Sequence, residues 1–186
     1  MTSRFIKRVA AACFGDYHFW AVWSFDLPGP PVTLPPGVEV RPLDASSFAG
    51  VEDPEMAKRA DFAGECAQGY GLYADGRLSS VQWYWWGARY EKERRGRSWP
   101  LPPGSAKSVG FYTLPEQRGK GHAALLKQYS ANLMHEKGFT KLYSRIWHSH
   151  RSSIRVSEKA GWKRVGFYVE FTLLKKRFCY SIPFRG

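Results

Sequence analysis

The chain has 186 residues, of which 44% are hydrophobic and 16% are aromatic, a composition that predicts one well-packed domain and excludes a disordered segment. Three widely spaced cysteines favour a reducing cytoplasm over a disulfide framework or structural zinc site, and no apolar run approaches the roughly 20 residues that cross a bilayer. The net charge of +12 attracts phosphates, nucleic acids and anionic membrane surfaces without selecting among them.

The first 36 residues are predicted to form a segment of their own ahead of a main domain over residues 37–186. As a helix, residues 4–14 would carry apolar side chains on one face and basic ones elsewhere. Such a helix either packs on the domain or rests on the inner membrane surface. Tyr17–Leu27 alternates aromatic and small residues, which indicates a strand or extended arm, and a proline-rich linker follows.

The main domain is predicted to begin with a strand at Val38–Pro42, followed by one or two short helices through about Ala63. Gly69–Tyr73 and Leu78–Trp86 then form two antiparallel strands, because an Asp-Gly pair between them suits a tight hairpin turn. The stretch from Gly87 to Lys107 has no sustained period and is predicted to be a long loop.

Strands and helices alternate in the second half of the chain. Ser108–Leu114 is a strand, and a helix runs from about Gly121 to the stop at Lys137-Gly138, with Leu125, Leu126, Tyr129 and Leu133 as its apolar positions. A strand at Lys141–Trp147, a helix of about ten residues ending at Ala160-Gly161, and strands at Val165–Leu173 and Phe178–Ile182 follow. The pattern predicts an α/β (α+β) fold with a mixed sheet.

The turn between the strand ending near Leu114 and the next helix carries the strongest chemical signal. Gly119 and Gly121 allow the backbone to approach a ligand closely, and the helix start presents unpaired N–H groups with a partial positive charge. Arg118 and Lys120 add cations, so the turn suits a pyrophosphate. Neither a P-loop nor a dinucleotide fingerprint is present, since Gly119-x-Gly121 is followed by Ala124.

Arg118-Gly119-Lys120-Gly121-His122-Ala123, after a strand and Pro115, resembles the cofactor motif of the GNAT superfamily of acyl-CoA-dependent N-acyltransferases. His150-Arg151-Ser152-Ser153 and Ser157-Glu158-Lys159-Ala160-Gly161-Trp162 keep the spacing of that family's next motif, with changes. The resemblance implies a mostly antiparallel sheet flanked by helices, preceded here by a helix and strand arm. It also implies acetyl-CoA, or another acyl-CoA, as co-substrate and no metal.

By the same resemblance, backbone groups near Tyr112 hold the pantetheine arm and polarise the thioester, and a neutral amine attacks directly. The residues implied to bind the co-substrate are Phe111, Tyr112, Thr113, Leu114, Arg118, Gly119, Lys120, Gly121, His122, Ala123 and Ser153. Ser157 stands where many members have the tyrosine that protonates the leaving thiolate. His148 and His150 follow the end of a strand, where ligand sites of α/β sheets tend to lie, and imidazole is a common general base, so either is a candidate for that role.

These features predict a cytoplasmic N-acetyltransferase that acts on a small-molecule amine or an amino sugar. Two alternatives stay open: a protein lysine or N-terminal acetyltransferase, and a non-enzymatic binder of acyl-CoA or nucleic acid. Nucleic acid is disfavoured because no helix-turn-helix, zinc finger or RNP pattern accompanies the basic charge. A contact of residues 4–14 with a membrane and a homodimer are left open.

Overall fold

The computed structural model describes residues 17–93, 99–173 and 176–184. The strands in chain order are β1 Tyr17–Asp26, β2 Val38–Leu43, β3 Ala67–Ala74, β4 Arg77–Trp85, β5 Ser105–Thr113, β6 Lys141–Trp147, β7 Lys163–Leu173 and β8 Lys176–Pro183. The helices are α1 Pro54–Ala57, α2 Gly87–Glu93, α3 His122–Glu136 and α4 Arg151–Lys159. Short 3-10 segments lie at Ala45–Phe48, Lys58–Phe62 and Pro115–Gln117.

All eight strands form one sheet in the order β2-β3-β4-β5-β6-β1-β7-β8. Every neighbouring pair is antiparallel except β5 and β6, which are parallel. The mixed, mostly antiparallel sheet with flanking helices confirms the predicted fold class. The β3–β4 hairpin also forms as predicted, with Asp75 and Gly76 at φ values of 50° and 75° in its turn.

The strand of the N-terminal segment lies inside the sheet. β1 pairs antiparallel with β6 on one side and with β7 on the other. Residues 21–25 are all buried, Trp23 among them, so both faces of this strand are covered. β1 is therefore an integral strand of the same sheet as the strands after residue 37. The helix predicted over residues 4–14 lies outside the described residues.

The proline-rich connection that follows β1 is fixed to α3 by one side chain. Asn132 accepts a hydrogen bond from the Gly29 N–H at 2.9 Å and donates one to the Pro30 carbonyl at 3.0 Å. These bonds satisfy polar backbone groups that the proline-rich sequence cannot pair within a helix or strand. The predicted linker therefore runs along α3 before the chain enters β2.

Each face of the sheet packs a separate hydrophobic cluster. α3 and α4 cover the face that presents Trp23, Tyr84, Leu142 and neighbouring core residues. On the other face, the segment from Ala45 to Phe62 covers Val81 and Trp83. The sheet is thus the middle layer of three.

The prediction of a loop throughout Gly87–Lys107 is wrong at both ends. Gly87–Glu93 forms α2, and β5 already begins at Ser105. Tyr90 fixes the helix: its N–H donates to the Trp86 carbonyl, its ring is 3% exposed, and its hydroxyl donates to the Trp99 carbonyl at 2.6 Å. Burial of one aromatic ring therefore outweighs the weak helical pattern of the segment.

Within the described ranges, no helix is long and apolar enough to span a bilayer.

Candidate active site

The chain between β5 and α3 forms a glycine cradle, defined here as Arg118–Ala123. Gly119 and Gly121 have φ values of 81° and 86°, a region that side-chain-bearing residues rarely adopt. Gly121 is the N-cap of α3, and its carbonyl accepts hydrogen bonds from Ala124 and Leu125 N–H. The tight turn therefore leaves the first amides of α3 at the rim of an open space, where an anion is favoured.

A cavity of about 350 Å³ opens beside the cradle. Its lining comes from the end of β5, the cradle and the start of α4: Phe111, Tyr112, Thr113, Gln117, Arg118, Gly119, Gly121, His122, Ala123, His150, Ser152, Ser153 and Val156. Of the residues predicted to bind the co-substrate, only Leu114 and Lys120 are not in this lining. Lys120 instead donates to the Gln117 side chain at 3.0 Å.

Among the described residues, no carboxylate lies within ion-pair distance of the Arg118 guanidinium beside this cavity. The Arg118 side chain is fixed by a 3.2 Å hydrogen bond from its Nε to the Thr113 carbonyl. Burial, together with the nearby Lys120 ammonium, lowers the pKa of His122, whose Nδ1 lies 3.0 Å from the Ser79 hydroxyl. His122 is therefore neutral at pH 7, and the charge at this site comes from Arg118 and the helix start.

Beyond the cradle, the parallel strands β5 and β6 separate. Their pairing ends at Ser108 and Ser144, although β5 continues to Thr113 and β6 to Trp147. A second cavity of about 210 Å³, here called the slot, lies between the diverging strands. The slot shares Phe111, His150, Ser153 and Val156 with the cradle cavity, so the two spaces adjoin.

A β-bulge between β4 and β5 lies just past Ser108, where β5 stops pairing with β6. Val81 pairs with Tyr112 and Trp83 with Val109, so Gly110 and Phe111 both oppose Gln82. Gly110 has φ 60°, and a Cβ there would lie 2.7 Å from the Phe62 ring. Glycine is thus required at this position. The sequence prediction missed the bulge, although a lone glycine within a strand pattern is its usual signal.

The structure separates the two histidines proposed as bases. His150 lines both the cradle cavity and the slot, with its Nδ1 3.2 Å from the Ser153 hydroxyl. His148 lines neither; its ring packs 4.9 Å from the Phe19 ring centroid, and its N–H donates to the Phe19 carbonyl. Only His150 is therefore placed where it can reach a group bound in either space.

Ser157, at the position where the family often has tyrosine, is 1% exposed and lines neither cavity. Its hydroxyl instead accepts a 2.8 Å hydrogen bond from the Lys127 ammonium. Lys127 itself lines the slot and is 3% exposed. The sequence prediction missed this lysine because it took the leucines of α3 as the buried face.

A signal for Lys127 was nevertheless present in the sequence. The buried residues of α3 are Ala124, Leu126, Lys127, Ser130, Ala131 and Met134, and three of these six are small. Lys127 stands three residues after Ala124 and four before Ala131, so helical spacing puts it on the small-residue face. That face approaches the sheet closely, and Tyr84 and Ser130 are hydrogen-bonded across it at 2.8 Å.

Tyr112 contacts residues on both sides of the site. Its hydroxyl donates to the Asp53 carboxylate at 3.2 Å, and the Arg118 guanidinium lies 5.8 Å from its ring centroid. Burial, followed by the charge of Asp53, raises the pKa of the Tyr112 phenol, so it stays protonated near neutral pH. The side chain therefore connects α1 to the cradle.

Over the described ranges, no three His, Cys, Asp or Glu side chains converge as a metal site would require.

Solved structures resemble this chain strongly in fold and weakly in sequence. A GNAT-family acetyltransferase from Novosphingobium aromaticivorans superimposes with a TM-score of 0.55 at 22% identity, covering 85% of this chain and 65% of that one. A GCN5-related N-acetyltransferase from Sphaerobacter thermophilus gives 0.57 at 14% identity, covering 98% of this chain and 57% of that one. A glucosamine N-acetyltransferase region of a fungal multi-domain β-N-acetylglucosaminidase gives 0.58 at 14% identity, covering 91% of this chain and 22% of that one.

The fold is therefore that of the GNAT acetyltransferases, which confirms the resemblance read from the cradle sequence. This chain spans 65% of the length of the Novosphingobium structure, 57% of the Sphaerobacter structure and 22% of the fungal one. No protein-family model and no curated protein sequence matches it. The particular reaction must accordingly be argued from the chain's own residues.

Proposed function

We propose that the protein is an N-acetyltransferase that moves an acetyl group from acetyl-CoA to the primary amine of a small molecule, with amino sugars as the first class to test. One observation carries the proposal: a glycine cradle at a helix start opens into a cavity that adjoins a slot between two diverging parallel strands. Acetyl-CoA has an anionic diphosphate, which suits the cradle, and a long thioester arm, which suits the adjoining slot.

The cradle is suited to the diphosphate of the carrier. Gly119 and Gly121 let phosphate oxygens approach the backbone, and the first amides of α3 supply hydrogen bonds together with the positive end of the helix dipole. Arg118 adds a fixed cation in the cavity wall. No metal is needed to compensate the phosphate charge in this arrangement.

The slot is suited to the thioester arm. Between the separated ends of β5 and β6, backbone polar groups near the Gly110-Phe111 bulge no longer pair with β6. Such groups bind an extended amide arm, and one N–H near Phe111 or Tyr112 stabilises the oxyanion that forms when an amine attacks the thioester carbonyl. Proximity of the two reactants supplies much of the remaining acceleration.

His150 is the best-placed base for the incoming amine. It lies on the wall shared by both cavities, whereas His148 is packed against β1. An amine arrives as an ammonium ion near neutral pH, so a proton must be removed before the nitrogen attacks. The fungal neighbour is described as a glucosamine N-acetyltransferase, which supports a small amine as acceptor.

The proposal is tested in two stages with the full chain. Calorimetry with acetyl-CoA should give one site per chain, while free phosphate should bind far more weakly. Release of free thiol is then followed with separate panels of amino sugars, other small amines and lysine peptides. Turnover with a small amine is the expected result. Absence of acetyl-CoA binding refutes the proposal, and turnover confined to peptides replaces the acceptor class.

A further inference from the structure

Lys127 is a buried lysine that the described part of the chain leaves without a carboxylate partner. Its side chain is 3% exposed, its Nζ donates to Ser157 at 2.8 Å, and the same Nζ lies 3.9 Å from the Trp162 ring centroid. Among the described residues, no Asp or Glu oxygen lies within ion-pair distance of it. Burying an uncompensated ammonium opposes folding, so packing alone does not account for a lysine here.

Lys127 lies in the wall of the slot, where the thioester end of the carrier is proposed to bind. It lines the slot together with Ser108 and Ser144, the last residues at which β5 and β6 still pair. The slot leads away from the cradle cavity, so it receives the end of the carrier that is remote from the diphosphate. Lys127 therefore borders the space in which the thioester sulfur is expected.

We infer that Lys127 is the proton donor to the CoA thiolate, and that Ser157 positions it through the hydrogen bond. The inference rests on the proposed function. When the amine nitrogen bonds to the thioester carbon, the C–S bond breaks and its electron pair stays on sulfur. The sulfur then takes a proton from the Lys127 ammonium, which leaves CoA thiol and a neutral lysine. Solvent returns the proton to Lys127 before the next turnover, and the acceptor's own lost proton balances the reaction.

The surroundings of Lys127 are consistent with proton transfer. Burial lowers its pKa to about 7, so protonated and neutral forms are both populated near neutral pH. His150, ahead of α4, and Arg145, on β6, are the other charged or titratable side chains that line the slot. Ser157 on α4 and Trp162, which follows that helix, contact the ammonium and carry no charge.

Lys127→Met removes the proton donor and keeps much of the side chain's length and apolar bulk. We expect kcat to fall about 100-fold, as for loss of a general acid, while the Kd for acetyl-CoA changes less than about threefold. Lys107→Met is the matched control, because Lys107 is also buried, at 7% exposure, but does not line the slot. That variant should keep kcat within about threefold. Equal kcat losses in the two variants contradict the inference.

The pH profile distinguishes proton donation from a structural role. In the native enzyme, kcat should decline as pH rises through about 7, where Lys127 loses its proton. Lys127→Arg keeps the charge but does not deprotonate in this range and so cannot give up the proton; its kcat should stay near that of Lys127→Met, and its pH profile should lack the decline. A native profile without the decline, or a Lys127→Arg profile that retains it, overturns the inference even if Lys127→Met fails to fold.

Two further readouts separate the ways of failing. Mass spectrometry of native enzyme after incubation with acetyl-CoA should show an unmodified Lys127, since an acetyl group there would make it a nucleophile and contradict the proposed role. Native enzyme that binds and uses acetyl-CoA, with unchanged kcat in Lys127→Met, refutes this inference alone. Native enzyme that does not bind acetyl-CoA refutes the proposed function and this inference together.

Discussion

The cradle and the slot adjoin each other but are built in opposite ways. The cradle is six consecutive residues, Arg118–Ala123, whose glycines and helix start are set by local geometry. The slot is assembled from β5, β6, α3 and α4, which bring together residues as distant as Ser108 and Val156. The proposed binding of the diphosphate thus depends mainly on local geometry, whereas the proposed proton transfers depend on tertiary packing.

The largest expected effect is on the cradle. Gly121→Val places a β-branched side chain at φ 86° on the cavity wall, which forces the backbone turn and the first amides of α3 to move. The Kd for acetyl-CoA should rise at least about 500-fold, or roughly 4 kcal/mol. Calorimetry measures it.

Gly138→Val is the matched control for that variant. Gly138 lies just past the other end of α3, has φ 90°, and a Cβ there would meet nothing within 4 Å. It carries the same backbone strain without touching either cavity, so affinity should be unchanged while stability falls by about 1–2 kcal/mol. Equal losses of affinity in both variants would show that the cradle acts through fold stability only.

The two histidines test whether placement in the shared wall matters. His150→Ala should lower kcat about 100-fold, the loss expected for a general base, and should change the rise of the rate with pH. His148→Ala should keep kcat within about threefold, because that ring packs against Phe19 outside both cavities. Steady-state rates across pH with the identified amine give the answer. A larger loss in His148→Ala would contradict the assignment.

The third prediction concerns the free energy of unfolding, which the buried Lys127 of the slot should make dependent on pH. Lys127 has a pKa of about 7 in the folded state against 10.5 ordinarily, so between these values the unfolded chain binds more protons. Stability should therefore rise with pH from about 7 to 10, and below pH 7 the cost of the buried charge is fully present.

Lys127→Met should accordingly stabilise the protein by about 2 kcal/mol at pH 7 and by little at pH 10. The expected gain is smaller than the full shift implies, because the bond to Ser157 and the contact with Trp162 are lost. Urea unfolding at the two pH values measures the difference. A variant that is less stable than the native chain at pH 7 would show that this ammonium is well compensated.

The smallest expected effect concerns charge at the cradle. Arg118→Ala should weaken acetyl-CoA binding about fivefold and reduce its salt dependence, because a fixed guanidinium in the cavity wall is lost. Lys120→Ala should change the Kd less than about twofold, because Lys120 does not line the cavity and its ammonium is bonded to the Gln117 side chain. Titrations at two salt concentrations distinguish them, and the reverse order would mean that Lys120 turns inward when ligand binds.

Local patterns predicted most of the strands, the ends of α3 and the cradle, because each depends on residues close in sequence. The position of β1 between β6 and β7 was not predictable in this way, since strand order carries no local signature. The buried face of α3 was mistaken for a related reason: leucine side chains suggested burial, but small residues at Ser130 and Ala131 allow the closer contact with the sheet.

The place of β1 in the sheet has a consequence for biosynthesis. This strand is made before β6 and β7 by more than a hundred residues, yet its two neighbours are those strands. A ribosome therefore releases an aromatic segment, including Phe19 and Trp23, that stays without its sheet partners until β6 and β7 have emerged. Because the Phe19 carbonyl also accepts a hydrogen bond from the His148 amide, the loop bearing His150 is held by a residue translated well before it.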